Sequence, residues 1–104
     1  MPVSAKDILN NVAETLVAKQ KFPTIEEALW ELALSALRDK IGFYQRRIRR
    51  FERKYATDFD TFSDSLKDRA TPAEENDWLE WRSARSMLAD WQKTYQDIQN
   101  ERPH

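Results

Sequence analysis

Nucleophilic, acid–base and metal-centred chemistry each require particular side chains, and this chain of 104 residues carries few of them. Its one histidine is His104 and it has no cysteine, so neither an imidazole base within the chain nor a thiolate site can be assembled. Gly42 is the single glycine, which excludes a phosphate-cradling glycine-rich loop. Carboxylates are abundant, and Asp58, Asp60, Asp64 and Asp68 form the densest group. A calcium loop counted from Asp58 would need glycine at its sixth position and glutamate at its twelfth. Ser63 and Arg69 stand there instead. No pair of carboxylates is set in an apolar run that would tune one as an acid. The expectation is a protein that is not an enzyme and takes no cofactor or metal.

Cations and aromatic rings are the other candidates. Arg46, Arg49, Arg50 and Arg53 recur at i, i+3, i+4 and i+7, one face of a helix, and Phe43 joins that face three residues before Arg46. Such a stripe can track phosphates or meet an acidic protein surface. Four tryptophans are many for this length. Trp81 and Trp91 fall on a regular apolar seam and read as core. Trp30 does not: helix four, read to end near Asn100, reaches back only to about residue 35. Trp30 and Leu34 also belong to segment 25–37, which is apolar around most of its circumference and must be buried all round. Trp30 and Leu34 are therefore expected at a dimer or partner contact, beside a second contact made by Phe43, Arg46, Arg49, Arg50 and Arg53.

The elements that position these residues follow from periodicity. Leu37, Ile41, Tyr44, Ile48, Phe51 and Tyr55 alternate at spacings of four and three, and Trp81, Ala84, Leu88, Trp91, Tyr95 and Ile98 do the same. Two such seams predict long helices packed along each other as an antiparallel, coiled-coil-like hairpin. Ser4 with Asp7, Thr24 with Glu27 and Thr71-Pro72 with Glu74 read as helix starts by capping box, and Asp58 caps a short third helix carrying Phe59, Phe62 and Leu66. Helix one, with its stripe of Ile8, Leu9, Val12, Leu16 and Val17, should end near Gln20, where Lys21-Phe22-Pro23 interrupts it. Helix two should run unbroken to Ala56, with Gly42 its weak point.

The predicted fold is all-α: four helices in one domain, 1–104, with N-terminal helices (1–36) for dimer or partner contact and a helical hairpin (37–100). Charged residues make up 34% of the chain, as amphipathic helices with solvated outer faces require. The net charge of -1 hides a segregation: residues 38–54 carry eight basic and two acidic side chains, whereas residues 55–104 carry six basic and eleven acidic. The arms of the hairpin are thus biased toward each other. No apolar run approaches a membrane span, no secretory leader is evident at Met1-Pro2-Val3, and the absence of cysteine fits a reducing compartment, so a cytoplasmic location is expected.

The stretch from Tyr44 to Tyr55 (Tyr-Gln-Arg-Arg-Ile-Arg-Arg-Phe-Glu-Arg-Lys-Tyr), followed by Phe59, Phe62 and the acidic, tryptophan-rich segment Glu75 to Trp81, resembles small archaeal and bacterial antitoxins encoded beside toxin genes. Phe22-Pro-Thr-Ile-Glu-Glu-Ala-Leu-Trp-Glu-Leu-Ala-Leu34 is similar to the helix-turn-helix portion of many prokaryotic antitoxins. One departure matters: ribbon-helix-helix antitoxins begin with a DNA-reading strand, and residues 1–7 carry no strand signal. The resemblance implies a nearby-encoded toxin as protein partner, neutralised by steric binding, rather than an operator. The alternatives are a nucleic-acid-binding helical module using the Arg46–Arg53 face and a structural homo-oligomer.

Overall fold

The computed structural model describes residues 4–19 and 23–102. It contains four helices, α1 (Ala5–Ala18), α2 (Ile25–Tyr55), α3 (Phe59–Ser65) and α4 (Pro72–Glu101), and no strand among those residues. The expected break at Lys21-Phe22 and the expected end at Gln20 lie outside the described residues. So does His104.

Each helix starts where a short polar side chain can satisfy a free backbone N–H. The hydroxyls of Ser4, Thr24 and Thr71 accept from the N–H groups of Asp7, Glu27 and Glu74, and the Asp58 carboxylate accepts from Thr61. The reciprocal bond that completes a capping box is present only at α4 among the described residues, where Glu74 accepts from the Thr71 N–H. Asp58 is therefore a cap. α2 passes through Gly42 and across residues 36–37 without interruption, so the N-terminal and hairpin parts of the chain share one helix. It ends at Ala56, whose φ of 54° turns the chain left-handed and sends it back toward α4.

α2 and α4 run antiparallel. Lys54 pairs with Asp77, Arg47 with Glu80, Arg38 donates to Tyr95, and Arg102 pairs with Glu31, in opposite order along the two helices. All twelve seam residues are buried or half-buried, as the 4-3 spacing requires. The packing is densest at the closed end. There Trp81, 1% exposed, lies against Phe51 (ring centroids 5.6 Å apart), Phe62 (5.4 Å), Phe59 (5.5 Å, edge-on) and Tyr55 (6.3 Å). α3 exists to deliver Phe59 and Phe62 into this cluster. Its Ser63 hydroxyl accepts from the Trp78 indole N–H at 2.7 Å, which ties α3 to the start of α4.

Below the rings, one oxygen of Asp77 accepts from both the Tyr55 hydroxyl and the Lys54 ammonium. Lys54 first, then Tyr55, holds the Asp77 carboxyl below the ordinary carboxylate range. Partial burial, followed by the neighbouring Asp77, pushes the Tyr55 hydroxyl up.

The N-terminal part departs from expectation in two ways. α4 extends to Glu101, and Arg102 reaches Glu31 at 2.6 Å, so the long helices remain side by side to the level of Trp30. Segment 25–37 is covered in part from within the chain, with Ala28, Leu34 and Leu37 buried and Leu29, Trp30 and Leu32 half-buried, while Ile25, Ala33 and Ala36 are exposed. α1 instead leaves part of its own stripe bare. It packs on α2 through Ala13, with Leu16 and Val17 half-buried, while Ile8, Leu9 and Val12 are exposed. Its apolar arc is wider than one neighbouring helix can cover.

Truncating the aromatic cluster should be costly. Trp81→Ala and Phe51→Ala should each lose about 3–5 kcal/mol in equilibrium urea melts, whereas the half-buried Ile48→Ala and Leu88→Ala should lose about 1–2 kcal/mol. Equal losses at all four positions would place the core elsewhere along the seam.

The Asp77 node carries a pH signature. A carboxyl whose pKa is depressed on folding stabilises the protein above its unfolded value, near 3.9, and ceases to do so as pH falls through the folded value. Asp77→Asn should lower the urea midpoint at pH 7. Between about pH 5 and pH 2 it should lose less further stability than the parent does.

Candidate protein-interaction face

The arginines expected on the outside of the hairpin are there. Arg46, Arg49, Arg50 and Arg53 are exposed on α2, and none forms an ion pair with a described carboxylate. Their neighbours are engaged differently. Arg47, one position off the stripe, spends its charge on Glu80, and Lys54 on Asp77. Arg50 is near enough to Asp77 to help hold its carboxyl low without pairing with it, and the stripe as a whole is left without a direct ion pair among the described residues.

Phe43 stands at the head of the stripe and is 49% exposed, its ring held edge-on against Tyr44 at 5.0 Å. Tyr44 is a half-buried seam residue, so Phe43 is braced from beneath while its outer surface meets water. Arg46 folds back over Gly42: a Cβ at position 42 would approach its Nη1 to 3.0 Å. Glycine's missing side chain therefore gives this guanidinium a place to lie along the helix. Phe43, Arg46, Arg47, Arg50 and Arg53 together line a shallow depression of about 310 Å³. Arg49, further round the helix, does not line it.

The other pair of expected contact residues divides, Leu34 being enclosed and Trp30 keeping part of its surface accessible. Leu34 is 2% exposed within the chain itself, packed as core, and cannot serve as a surface anchor. Trp30 is half-buried, because α2 is flanked on that stretch by α1 and by the C-terminal end of α4. The structure thus brings Phe43 together with Arg46, Arg50 and Arg53, and separates all of them from Trp30 and Leu34, which lie at least two helical turns away on the same helix.

Sequence reasoning missed the α4 side of this face. Leu79 is 55% exposed, and with Ser83 and Ala84 it meets Phe43, Tyr44, Arg47 and Glu80 around a second depression. Its signal was present: Leu79 lies between Trp78 and Trp81 but falls off the seam by about 160° on a helical projection, so it cannot share their core.

Among the described residues no three histidine, cysteine or carboxylate side chains converge as a metal site, and no helix is long and apolar enough to cross a membrane. No known protein family, curated protein or solved structure matches the chain.

Because the stripe is exposed and unpaired, its charge is expected to be dispensable for folding. A variant with Arg46, Arg49, Arg50 and Arg53 all changed to Gln should retain its helical circular dichroism and a urea stability within about 1 kcal/mol of the parent. Loss of helicity would show that the stripe is structural.

Proposed function

We propose that this chain is a non-enzymatic protein-interaction module, antitoxin-like, that neutralises a partner toxin by covering part of its surface. The observation that carries this reading is the combination of unpaired arginines with an exposed, braced phenylalanine on one face of a rigid helical pair. Aromatic and arginine side chains are the residue types that dominate binding energy at protein interfaces. A scaffold that holds them without flexible loops loses little conformational entropy on docking. The residue content supports the non-enzymatic part, since the chain has no cysteine and its one histidine is the last residue given. Support for a toxin as the partner is the resemblance of segments 22–34 and 44–81 to prokaryotic antitoxins.

A second reading, binding of nucleic acid by the same face, draws on the clustering of three unpaired guanidinium groups, Arg46, Arg50 and Arg53, beside the Phe43 ring. The net charge of -1 and the acidic bias of residues 55–104 weigh against it.

Co-expression with each adjacent gene product tests the proposal. The expected result is a complex that co-elutes in size-exclusion chromatography and abolishes the growth defect caused by the partner alone. Phe43→Ala combined with Arg46→Gln and Arg50→Gln should weaken that complex by about a hundredfold or more, the scale of a lost interface centre. Absence of a complex with any adjacent product, together with affinity for a single-stranded RNA that falls steeply with salt, would favour the second reading.

A further inference from the structure

The side of α2 that carries the arginines opens with a charge of the opposite sign. At about 100° per residue, Asp39, Phe43, Arg46, Arg50 and Arg53 fall within an arc of about 80°, one line along a single helix. Over that line the helix advances about 21 Å at about 1.5 Å per residue. All five residues are exposed, and none forms an ion pair among the described residues. Ala28 and Leu32 lie on the same side, nearer the start of α2, and they are buried and half-buried where α1 packs. The line from Asp39 onward is the uncovered continuation of that side.

Chemically the line has an order: a carboxylate, an aromatic ring, then three guanidinium groups. Phe43 stands at the junction, 49% exposed and held edge-on by Tyr44, so its ring is presented to a partner in a fixed orientation. Arg46 lies along the helix over Gly42, and with Arg50 and Arg53 it lines the shallow depression of about 310 Å³. Sites for small molecules enclose most of the ligand surface, which an open helix face does not. This one suits side chains reaching in from an opposing surface.

We infer that this line docks a protein segment whose charge changes sign: carboxylates over Arg46, Arg50 and Arg53, an apolar side chain over Phe43, and a lysine or arginine over Asp39. The inference rests on the proposed role as an interaction module and specifies the chemistry of the partner. Charge complementarity selects the occupant. Nucleic acid is negative at every step, so a strand tracking the arginines past Phe43 would meet Asp39. Glu80 adds to that repulsion, because it lines the adjoining depression that shares Phe43 and Arg47. A second copy of the chain fits no better. It offers three arginines for one carboxylate, so apposing two such lines sets cation against cation. A protein segment can reverse its charge from one residue to the next. Asp39 therefore acts as a specificity residue, attracting the cation of the correct partner and opposing a uniform polyanion.

The test uses the intact chain and three end-blocked peptides of about ten residues, long enough to span the line when extended, followed by fluorescence anisotropy. Each has a central leucine. The mixed peptide has glutamates on one side of it and lysines on the other, and the two controls have glutamates or lysines on both sides. The mixed peptide should bind saturably and more weakly at high salt, the all-glutamate peptide about threefold more weakly and the all-lysine peptide about tenfold more weakly. Asp39→Lys should reverse the order of the mixed and all-glutamate peptides, and Phe43→Ala and Arg46→Glu should each weaken the mixed peptide about tenfold. All three substitutions are at exposed positions, and circular dichroism checks their folding. The inference is overturned if the mixed peptide does not bind, if it binds no better than the all-glutamate one, or if Asp39→Lys leaves their order unchanged. It is equally overturned if an equimolar 20-nucleotide single-stranded RNA displaces the mixed peptide, or if sedimentation shows a second copy of the chain on this face. An adjacent gene product that binds the parent and Arg46→Glu equally well would overturn this assignment while leaving the interaction module intact. The expected peptide order without any adjacent product that binds would uphold it and overturn the antitoxin reading alone.

Discussion

The packing of Trp81 against four aromatic rings holds the rest of this structure in place. Phe51 and Tyr55 come from α2, Phe59 and Phe62 from α3, and Trp81 from α4, so one side chain joins three helices at the closed end of the hairpin. Large rings bury much area with few rotatable bonds, and offset pairs contribute roughly 0.5–1.5 kcal/mol each beyond their burial. The arrangement includes one unfavourable feature: the Trp81 indole N–H is buried without a hydrogen-bond partner. The other indole of this end, Trp78, is satisfied by Ser63. The cluster is evidently favourable enough to tolerate an orphan donor, whose desolvation costs on the order of 1–3 kcal/mol.

From that anchor the hairpin is guided outward by charge. Lys54–Asp77, Arg47–Glu80 and Glu31–Arg102 are spaced along its length, at the closed end, next to it and at the open end. Exposed pairs contribute little stability singly, but a register shifted by one turn would break the present pairing at all three levels at once. α2 carries more cations than α4 can neutralise within reach. The surplus is left as the Arg46, Arg49, Arg50 and Arg53 stripe, so the electrostatics that align the helices also create the face available to a partner.

That face is built on two continuous helices rather than on loops. Phe43 is braced by Tyr44, Arg46 lies over Gly42, and Leu79 projects from a helix whose opposite side is pinned by Trp81. Anchors held by a packed scaffold keep their relative positions when free, which favours binding by limiting what must be ordered on association. The exposed Ile8, Leu9 and Val12 on α1 form a separate apolar surface at the other end of the molecule. It shares no residue with the depressions around Phe43 and Leu79.

By itself the sequence determined the all-α class, the helix starts and the seams. These rest on local chemistry: a hydroxyl or carboxylate three residues before an N–H it can cap, and a 4-3 apolar spacing that has one meaning on a helix. The same periodicity placed Arg46, Arg50 and Arg53 outside, and they are outside. What it could not determine was the coverage of residues whose neighbours come from distant parts of the chain. Leu34 looked available because the reach of α4 was taken to stop short, yet the Arg102–Glu31 pair holds the two helices together to that level, and Leu34 is core. Ile8, Leu9 and Val12 share an apolar stripe with Leu16 and Val17, yet α2 covers only the Ala13 side of that helix. The meeting of Phe43 with Leu79, 36 positions apart, was likewise decided only by the tertiary structure. Periodicity specifies which way a side chain points on its own helix; whether protein or water lies in that direction depends on where another helix ends.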